Sequence, residues 1–508
     1  MTVTDSSSSL ACRVDPVVVE RQVAARLLSP NFNRWAEQAA AAGHCTSPIR
    51  LTGSATTLDK TTGEVLSTYS TTGEPDGVLY VRCGNRRASV CPSCSHEYKG
   101  DTWHLLAAGA AGGMKGVPES VAAHPMVFAT VTAPSFGPVH TTRTGQGGLG
   151  RCHPRRRVVC QHGRPVGCNA VHADGDSRLG QPLCRDCYRY TEHVVWQWHA
   201  PELWRRFTIT LRRRLAARLG MTQTRLVQLA RLSFAKVAEF QRRGVIHFHA
   251  LIRLDGPASA VTGEHPFPVP LVDVPAEVLA DVIRETAALV AYDAPPASDG
   301  EPGLRLRFGK QVDARPVTST ASRDDGREQS RDLHPETVAA YIAKYATKAC
   351  EEFGLPQRLR SPEAAARLGV NAHICRLLAT VLDVASTGGE HYAGLVRWAA
   401  MLGFRGHFST KSRRYSTTLG RLRTARKRWQ LQRLRGESCD EGTTGWQDDD
   451  PAEDSTLVLS DWALAGIGWL TAGDAALAAT GSDGVRDWRD AKVRTRSHPS
   501  TSARTYGT

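Results

Sequence analysis

The sequence predicts an α+β protein with Cys-rich, metal-binding modules built around one antiparallel hairpin. Three observations lead there. Residues 230–240 (ARLSFAKVAEF) and 245–253 (VIHFHALIR) are strand-like runs joined by the turn Gln241-Arg242-Arg243-Gly244. Segments at 203–219, 275–292 and 336–350 carry apolar residues at helical spacing. Most of the 13 cysteines fall in two clusters rather than scattering along the chain.

Taken in order, residues 1–40 are a Ser-rich tail followed by an Ala-rich helix. Residues 41–120 form a Cys-rich module, loop-like in its Gly, Thr and Ser content. Residues 121–355 form the central domain. Its first strand is 126–133 (MVFATVTA), β-branched and bounded by proline. A second Cys/His-rich insert at 140–190 interrupts the domain after that strand. The helix at 203–219, the hairpin, the helix at 275–292 and a strand at 303–312 follow. Residues 314–334 are polar and read as a mobile loop. Pro335 stands at the first position of the next helix, where its missing N–H costs nothing. Residues 356–436 read as a helical, basic extension, with helices at 362–384, 389–402 and 418–435. Residues 437–508 read as an acidic linker, a small packed segment and, from about 485, a disordered tail.

Composition narrows the function. Lys and Arg number 64 against 50 Asp and Glu, a formal charge of +14, which points to a polyanionic partner. With 41 % apolar residues the chain is globular. It has no secretory signal and no apolar run long enough to span a bilayer, so a cytoplasmic protein without a membrane partner is expected. No Walker phosphate loop is present, so ATP hydrolysis by this chain is not expected.

His247 and His249 are two apart on a strand, so both imidazoles leave one face and can reach one ion. Glu239 precedes them across the hairpin turn. Two histidines and a carboxylate, with open positions for phosphate oxygen and water, suit Mg²⁺ or Mn²⁺. Zinc and a plain pair of buried histidines are the competing readings. Downstream, Tyr341-Ile342-Ala343-Lys344-Tyr345-Ala346-Thr347-Lys348 repeats Tyr-x-x-Lys. On a helix the tyrosines share one face and the lysines a neighbouring one. A phenol with a pKa of about 10 is a poor nucleophile, and nearby cations ease its attack on a phosphate.

The segments VFATVTAPSFGPVH (127–140), EFQRRGVIHFHALIRLDG (239–256) and YIAKYATKA (341–349), in this order, resemble the HUH endonucleases that initiate rolling-circle replication. They look most like the initiators of actinobacterial plasmids and integrative elements, over residues 45–470. The resemblance implies a palm-like α+β nuclease domain: an antiparallel sheet with helices on one face, the histidines on a central strand and the tyrosines on a helix over it. It implies that His247 and His249 bind the metal with Glu239 as third ligand. Tyr345 would make the first nick, leaving a 5′-phosphotyrosine and a free 3′-hydroxyl. Tyr341 would be the conditional partner that rejoins the strand, with Lys344 and Lys348 beside them. The implied substrate is origin DNA, single-stranded or in a cruciform, with host helicase and polymerase as partners. Thr130 and Thr132 would flank the site. A relaxase or transposase of the same superfamily is the enzymatic alternative. Relaxases usually place the tyrosine before the histidine motif, and here it follows. A zinc-bearing DNA-binding regulator is the non-enzymatic alternative.

Cys83, Cys91 and Cys94, with Cys45 or His96 as fourth ligand, read as one structural Zn²⁺ site. Cys184 and Cys187, with Cys160 and Cys168, read as a second, His162, His172 and Cys152 remaining open as ligands. Two structural zincs are therefore expected. The run 411–435 concentrates cations, among them Arg413, Arg414, Arg421 and Arg423. With Tyr415 and Trp429 interleaved, it reads as a track for the DNA backbone.

Overall fold

The computed structural model describes residues 15–497, except 146–147, 155–157, 263–265, 319–332, 347–354, 356–360 and 435–455; at 144–145, 345–346, 427–434 and 492–497 it describes the backbone alone. Two compact units emerge. One joins residues 1–98 to 447–508, and the other holds 99–446.

In the terminal unit, strand Ile49–Asp59 pairs on one side with Thr456–Ile467 and on the other with Val65–Ser70 and Leu79–Val81, all antiparallel. Trp35, Tyr80 and Trp469 form its small core, with ring centroids 5.5 Å and 4.6 Å apart around Trp469. Asp474 is fully buried and accepts from the Arg26 guanidinium at 2.6 Å. The sequence alone separates residues 437–508 from the N-terminal module and leaves 41–120 loop-like. The described part instead completes the N-terminal sheet, and helix Ala472–Ser497 occupies much of the expected tail. Thr-rich strands such as LTGSATTLD have a β-branched surface, but their partner lies about 400 residues away.

The central unit is built on a five-stranded antiparallel sheet. Its strands are β1 (Met126–Val131), β2 (Arg231–Phe240), β3 (Ile246–Asp255), β4 (Val312–Pro316) and β5 (Ser409–Lys411), in the order β4-β1-β3-β2-β5. The β2–β3 hairpin forms where the sequence predicts it, Glu239 opposite His247. Strand alternation divides the sheet into two faces. Phe248, Ala250, Ile252 and Leu254 are buried against helix α1 (Tyr190–Arg218), whose Leu203, Phe207, Leu211 and Leu215 make a stripe at four-residue spacing. Trp204 of α1 lies 5.5 Å from Phe248 and 5.4 Å from Phe234. Helix α2 (Ala276–Leu289) packs against β1 and β4.

The opposite face carries Glu239, His247 and His249, and helix α3 (Pro335–Ala346) brings Tyr341 over it. Farther along that face, Arg253 and Asp255 form a fully buried ion pair at 2.6 Å. Arg253 also donates to Tyr415 O at 3.1 Å and to Gly109 O. Helices therefore cover both faces, not one. The basic extension is no separate domain either: β5 joins the sheet beside β2, and helix α4 (Ala372–Thr387) packs on α1. Asn371 caps α4 by accepting from the N–H groups of His373 and Ile374, and this breaks the helix expected over 362–384. The strand expected at 303–312 is divided into Leu304–Arg307 and β4; between them Gly309 donates its N–H to Thr132 O at 2.8 Å and sits where a Cβ would meet Ala133 O at 2.5 Å. Among the described residues no helix is long and apolar enough to cross a membrane.

Candidate functional site

The hairpin turn sets the position of the candidate metal ligands. Gly244 turns the chain at φ +81°, a conformation glycine adopts readily. Its carbonyl accepts from Gln197 Nε2 at 3.1 Å, and the Ile246 N–H donates to Gln197 Oε1 at 3.1 Å. His193 and His373 lie within hydrogen-bond reach of the Gly244 and Arg243 carbonyls. The turn is thus tied to α1 and α4 from beneath.

Glu239 Oε2 lies 2.7 Å from His247 Nε2 and 2.9 Å from His249 Nε2. All three ligand atoms fall within 4.8 Å of one another, close enough to hold a single metal ion. Burial pushes the Glu239 carboxyl up, but hydrogen bonds to both histidines outweigh it and bring it down to about 2. Burial lowers the His249 pKa, favouring the neutral imidazole that a metal requires. On the far side of its ring, His249 Nδ1 is 2.9 Å from Thr130 Oγ1 on β1. Phe128 stacks on the same ring at 5.8 Å.

Tyr341 closes the site from above. Its ring meets His249 edge-on at 5.5 Å and Phe128 at 5.9 Å, yet it remains 44 % exposed. Lys344 is exposed on the same helix. Tyr345 is one helical turn on, and its side chain lies outside the described residues, as does Lys348 entirely.

Beside this site, at the hairpin end of the sheet, a cleft of about 1170 Å³ opens. Its lining starts at Thr132, two positions past Thr130, and at Gln241, two positions past Glu239. At a rise of about 3.3 Å per residue, each step covers roughly 7 Å. Arg242, Arg243, Arg284, Arg307 and Lys310 line it, and no carboxylate does among the described residues. Arg243 is partly committed to structure, donating to Pro134 O at 3.0 Å and Ala133 O at 3.3 Å.

A family model described as RepSA, replication initiator protein, pSAM2, matches residues 31–483. The chain belongs to this replication initiator family. A replication initiator protein from Streptomyces ambofaciens is 43 % identical over 457 residues, which cover 89 % of this chain and 90 % of the relative. No solved structure matches.

In this RepSA-family chain the cysteines sort into groups that differ partly from the expected ones. Cys45, Cys83, Cys91 and Cys94 converge, with three Sγ–Sγ separations of 3.7 Å. Four thiolates around zinc at about 2.3 Å would stand about 3.8 Å apart, so this set fits the ion. In the insert, Cys160, Cys184 and Cys187 meet His162, not Cys168. His162 Nδ1 is 3.3 Å from Cys187 Sγ and 3.8 Å from Cys184 Sγ. Cys168 joins a different group, with His140, Cys152 and His172. The terminal Cys-x-x-Cys was legible, but thiol spacing alone does not say which ligand pair it meets across a folded loop.

The basic track is reshaped as well. Arg413, Arg414 and Arg423 are exposed and Arg421 is half-buried. Tyr415 is fully buried against Gly109 and Arg253, so it offers no face to a base. The Trp429 side chain lies outside the described residues. The cleft cations Arg242, Arg307 and Lys310 were missed, because they come from two segments about 65 residues apart and no run of charge marks them.

Proposed function

We propose that this chain initiates replication by nicking the origin strand through a tyrosine, with the Glu239–His247–His249 group holding the divalent ion. The observation that carries this is the convergence of those three ligand atoms under the Tyr341 ring, on a chain of a replication initiator family.

When bound, Mg²⁺ or Mn²⁺ supplies charge that polarises the scissile phosphate. The residues do the rest. A tyrosine hydroxyl attacks phosphorus and loses its proton. The P–O3′ bond breaks, and the 3′-oxygen leaves as a hydroxyl after taking up a proton. The 5′ end stays on the protein as phosphotyrosine. Attack by a free 3′-hydroxyl on that linkage reverses these steps and rejoins the strand. Tyr345 is assigned the first nick on the motif match. Tyr341, which lies against His249, is assigned the joining step. Lys344 supplies positive charge on the same helix, and Lys348 is assigned the same role on the motif match. The basic cleft, with Arg413, Arg414, Arg421 and Arg423, grips the phosphate backbone. Cys45, Cys83, Cys91 and Cys94 hold one structural zinc, and Cys160, His162, Cys184 and Cys187 hold another. Host helicase and polymerase would act on the strand opened by the nick.

The test is a covalent adduct with an oligonucleotide spanning the origin, formed in the presence of Mn²⁺. Adduct is expected to disappear in Tyr345→Phe and in His249→Ala. Tyr341→Phe is expected to keep the adduct and fail to rejoin. Loss in Tyr341→Phe with retention in Tyr345→Phe would exchange the two roles. Adduct persisting in all three variants overturns the proposal, and no adduct from the unaltered protein favours a DNA-binding regulator.

A further inference from the structure

We propose that the Cys-rich insert holds two zinc ions in interlocked loops, the second bound by His140, Cys152, Cys168 and His172. The four ligand atoms lie within 4.8 Å of one another. His140 Nδ1 is 3.1 Å from His172 Nε2, and Cys168 Sγ is 3.5 Å from that same nitrogen. A tetrahedral zinc, with Zn–N about 2.0 Å and Zn–S about 2.3 Å, sets these separations at about 3.3 Å and 3.5 Å.

The surroundings fix the chemistry of the ligands. Asp176 Oδ2 lies 2.6 Å from His172 Nδ1, and Arg178 holds that carboxylate from the other side at 2.8 Å. His172 therefore carries its proton on Nδ1 and directs the Nε2 lone pair into the group, the arrangement that carboxylate–histidine pairs give to zinc ligands. The Thr141 N–H points at Cys152 Sγ from 3.2 Å, and His153 Nδ1 is 3.0 Å from the same sulfur. One nitrogen lone pair faces both His140 and a thiol, and a dication satisfies all of them together.

Chain order supplies the independent argument. The ligand pairs run His140/Cys152, Cys160/His162, Cys168/His172, Cys184/Cys187. First and third pairs meet at one point, second and fourth at the other. Neither loop can open without disturbing its neighbour. Among its described residues the insert has three short strands and few buried apolar side chains, so two metal centres can stand in for a larger core. His140 also lines the basic cleft. The second ion thus pins the wall that faces Gln241 and Arg242.

Metal analysis of the full-length protein tests this without DNA, so its outcome is separate from that of the nicking proposal. The three Cys/His groups predict about three zinc ions per chain. Cys168→Ser is expected to lower the count by at least one. After cobalt exchange, His140→Cys is expected to keep the count and to strengthen the thiolate-to-cobalt charge-transfer band, since one Co–N bond becomes Co–S. This variant preserves four ligands, so it guards against simple unfolding. A count of two in the unaltered protein, or an unchanged cobalt spectrum in His140→Cys, overturns the second insert site.

Discussion

At the scale of single residues, the Glu239–His247–His249 group is held in place by Thr130 and Phe128, which touch the His249 ring. Period-2 alternation puts His247 and His249 on one face, and a tight turn returns Glu239 to them. Both facts are local. Thr130 sits about 120 positions earlier, and only β-sheet register sets it opposite His249. Lys236 gives no such signal in the sequence: it is buried on the core face, its ammonium 4.3 Å from the centre of the Phe248 ring, and burial pushes its pKa down to about 7. Thr130 matters for function. With an ion on His249 Nε2, the other nitrogen carries the proton and donates to the Thr130 hydroxyl, which fixes the ring. Thr130→Val keeps the shape and removes the acceptor. It is expected to weaken Mn²⁺ binding by roughly 10- to 100-fold, read by direct titration of the purified protein. Thr130→Ser should restore affinity. Equal affinity in all three proteins would show that Phe128 stacking alone orients the ring.

At the scale of elements, the hairpin and the amphipathic helices were legible because their signals are short-range. The helix expected at 203–219 begins instead at Tyr190, running through Pro201. The extra turns matter, since they carry His193 and Gln197 to the hairpin tip. Gln197 uses both ends of its amide on buried backbone groups of the turn. Gln197→Leu fills similar space but leaves the Gly244 carbonyl and the Ile246 N–H without this partner. The Gly244 carbonyl keeps His193 Nε2 at 3.3 Å, so the Ile246 N–H is the group left orphaned and the expected cost is about 1–3 kcal/mol. Urea denaturation should register it. Because the turn spaces Glu239 from His247, metal affinity should fall as well. A variant as stable as the parent would mean that water replaces the amide at this tip.

At the scale of the whole molecule, the least legible features are those assembled from distant segments. The terminal sheet pairs Ile49–Asp59 with Thr456–Ile467, and Trp469 Nε1 donates to Cys45 O at 2.9 Å, next to the first thiolate group. No window of sequence contains both partners. The basic cleft is the same kind of feature within the central unit, drawing Arg242, Arg307 and Lys310 from a turn and a strand-to-strand connection. The role proposed for it rests on charge and place. If the strand is nicked as proposed, a backbone phosphate leaving the Tyr341 site would meet cations about three strand positions away, and no carboxylate opposes it among the described lining. Binding that rests on neutralised phosphates weakens with salt, with a log–log slope of about −0.7 for each phosphate of a single strand. Replacing Arg242 and Lys310 together by Glu should therefore reduce affinity for a single-stranded oligonucleotide most strongly at low salt. The slope should become shallower by about 0.7 for each phosphate that no longer meets a cation. Arg243 is a poor choice for this test, because its guanidinium holds the Ala133 and Pro134 carbonyls and its loss would disturb the turn. The same double change at Arg413 and Arg414 tests the alternative route along the exposed 411–414 segment. If that pair flattens the slope and the cleft pair does not, the strand leaves by the extension and the cleft serves another purpose.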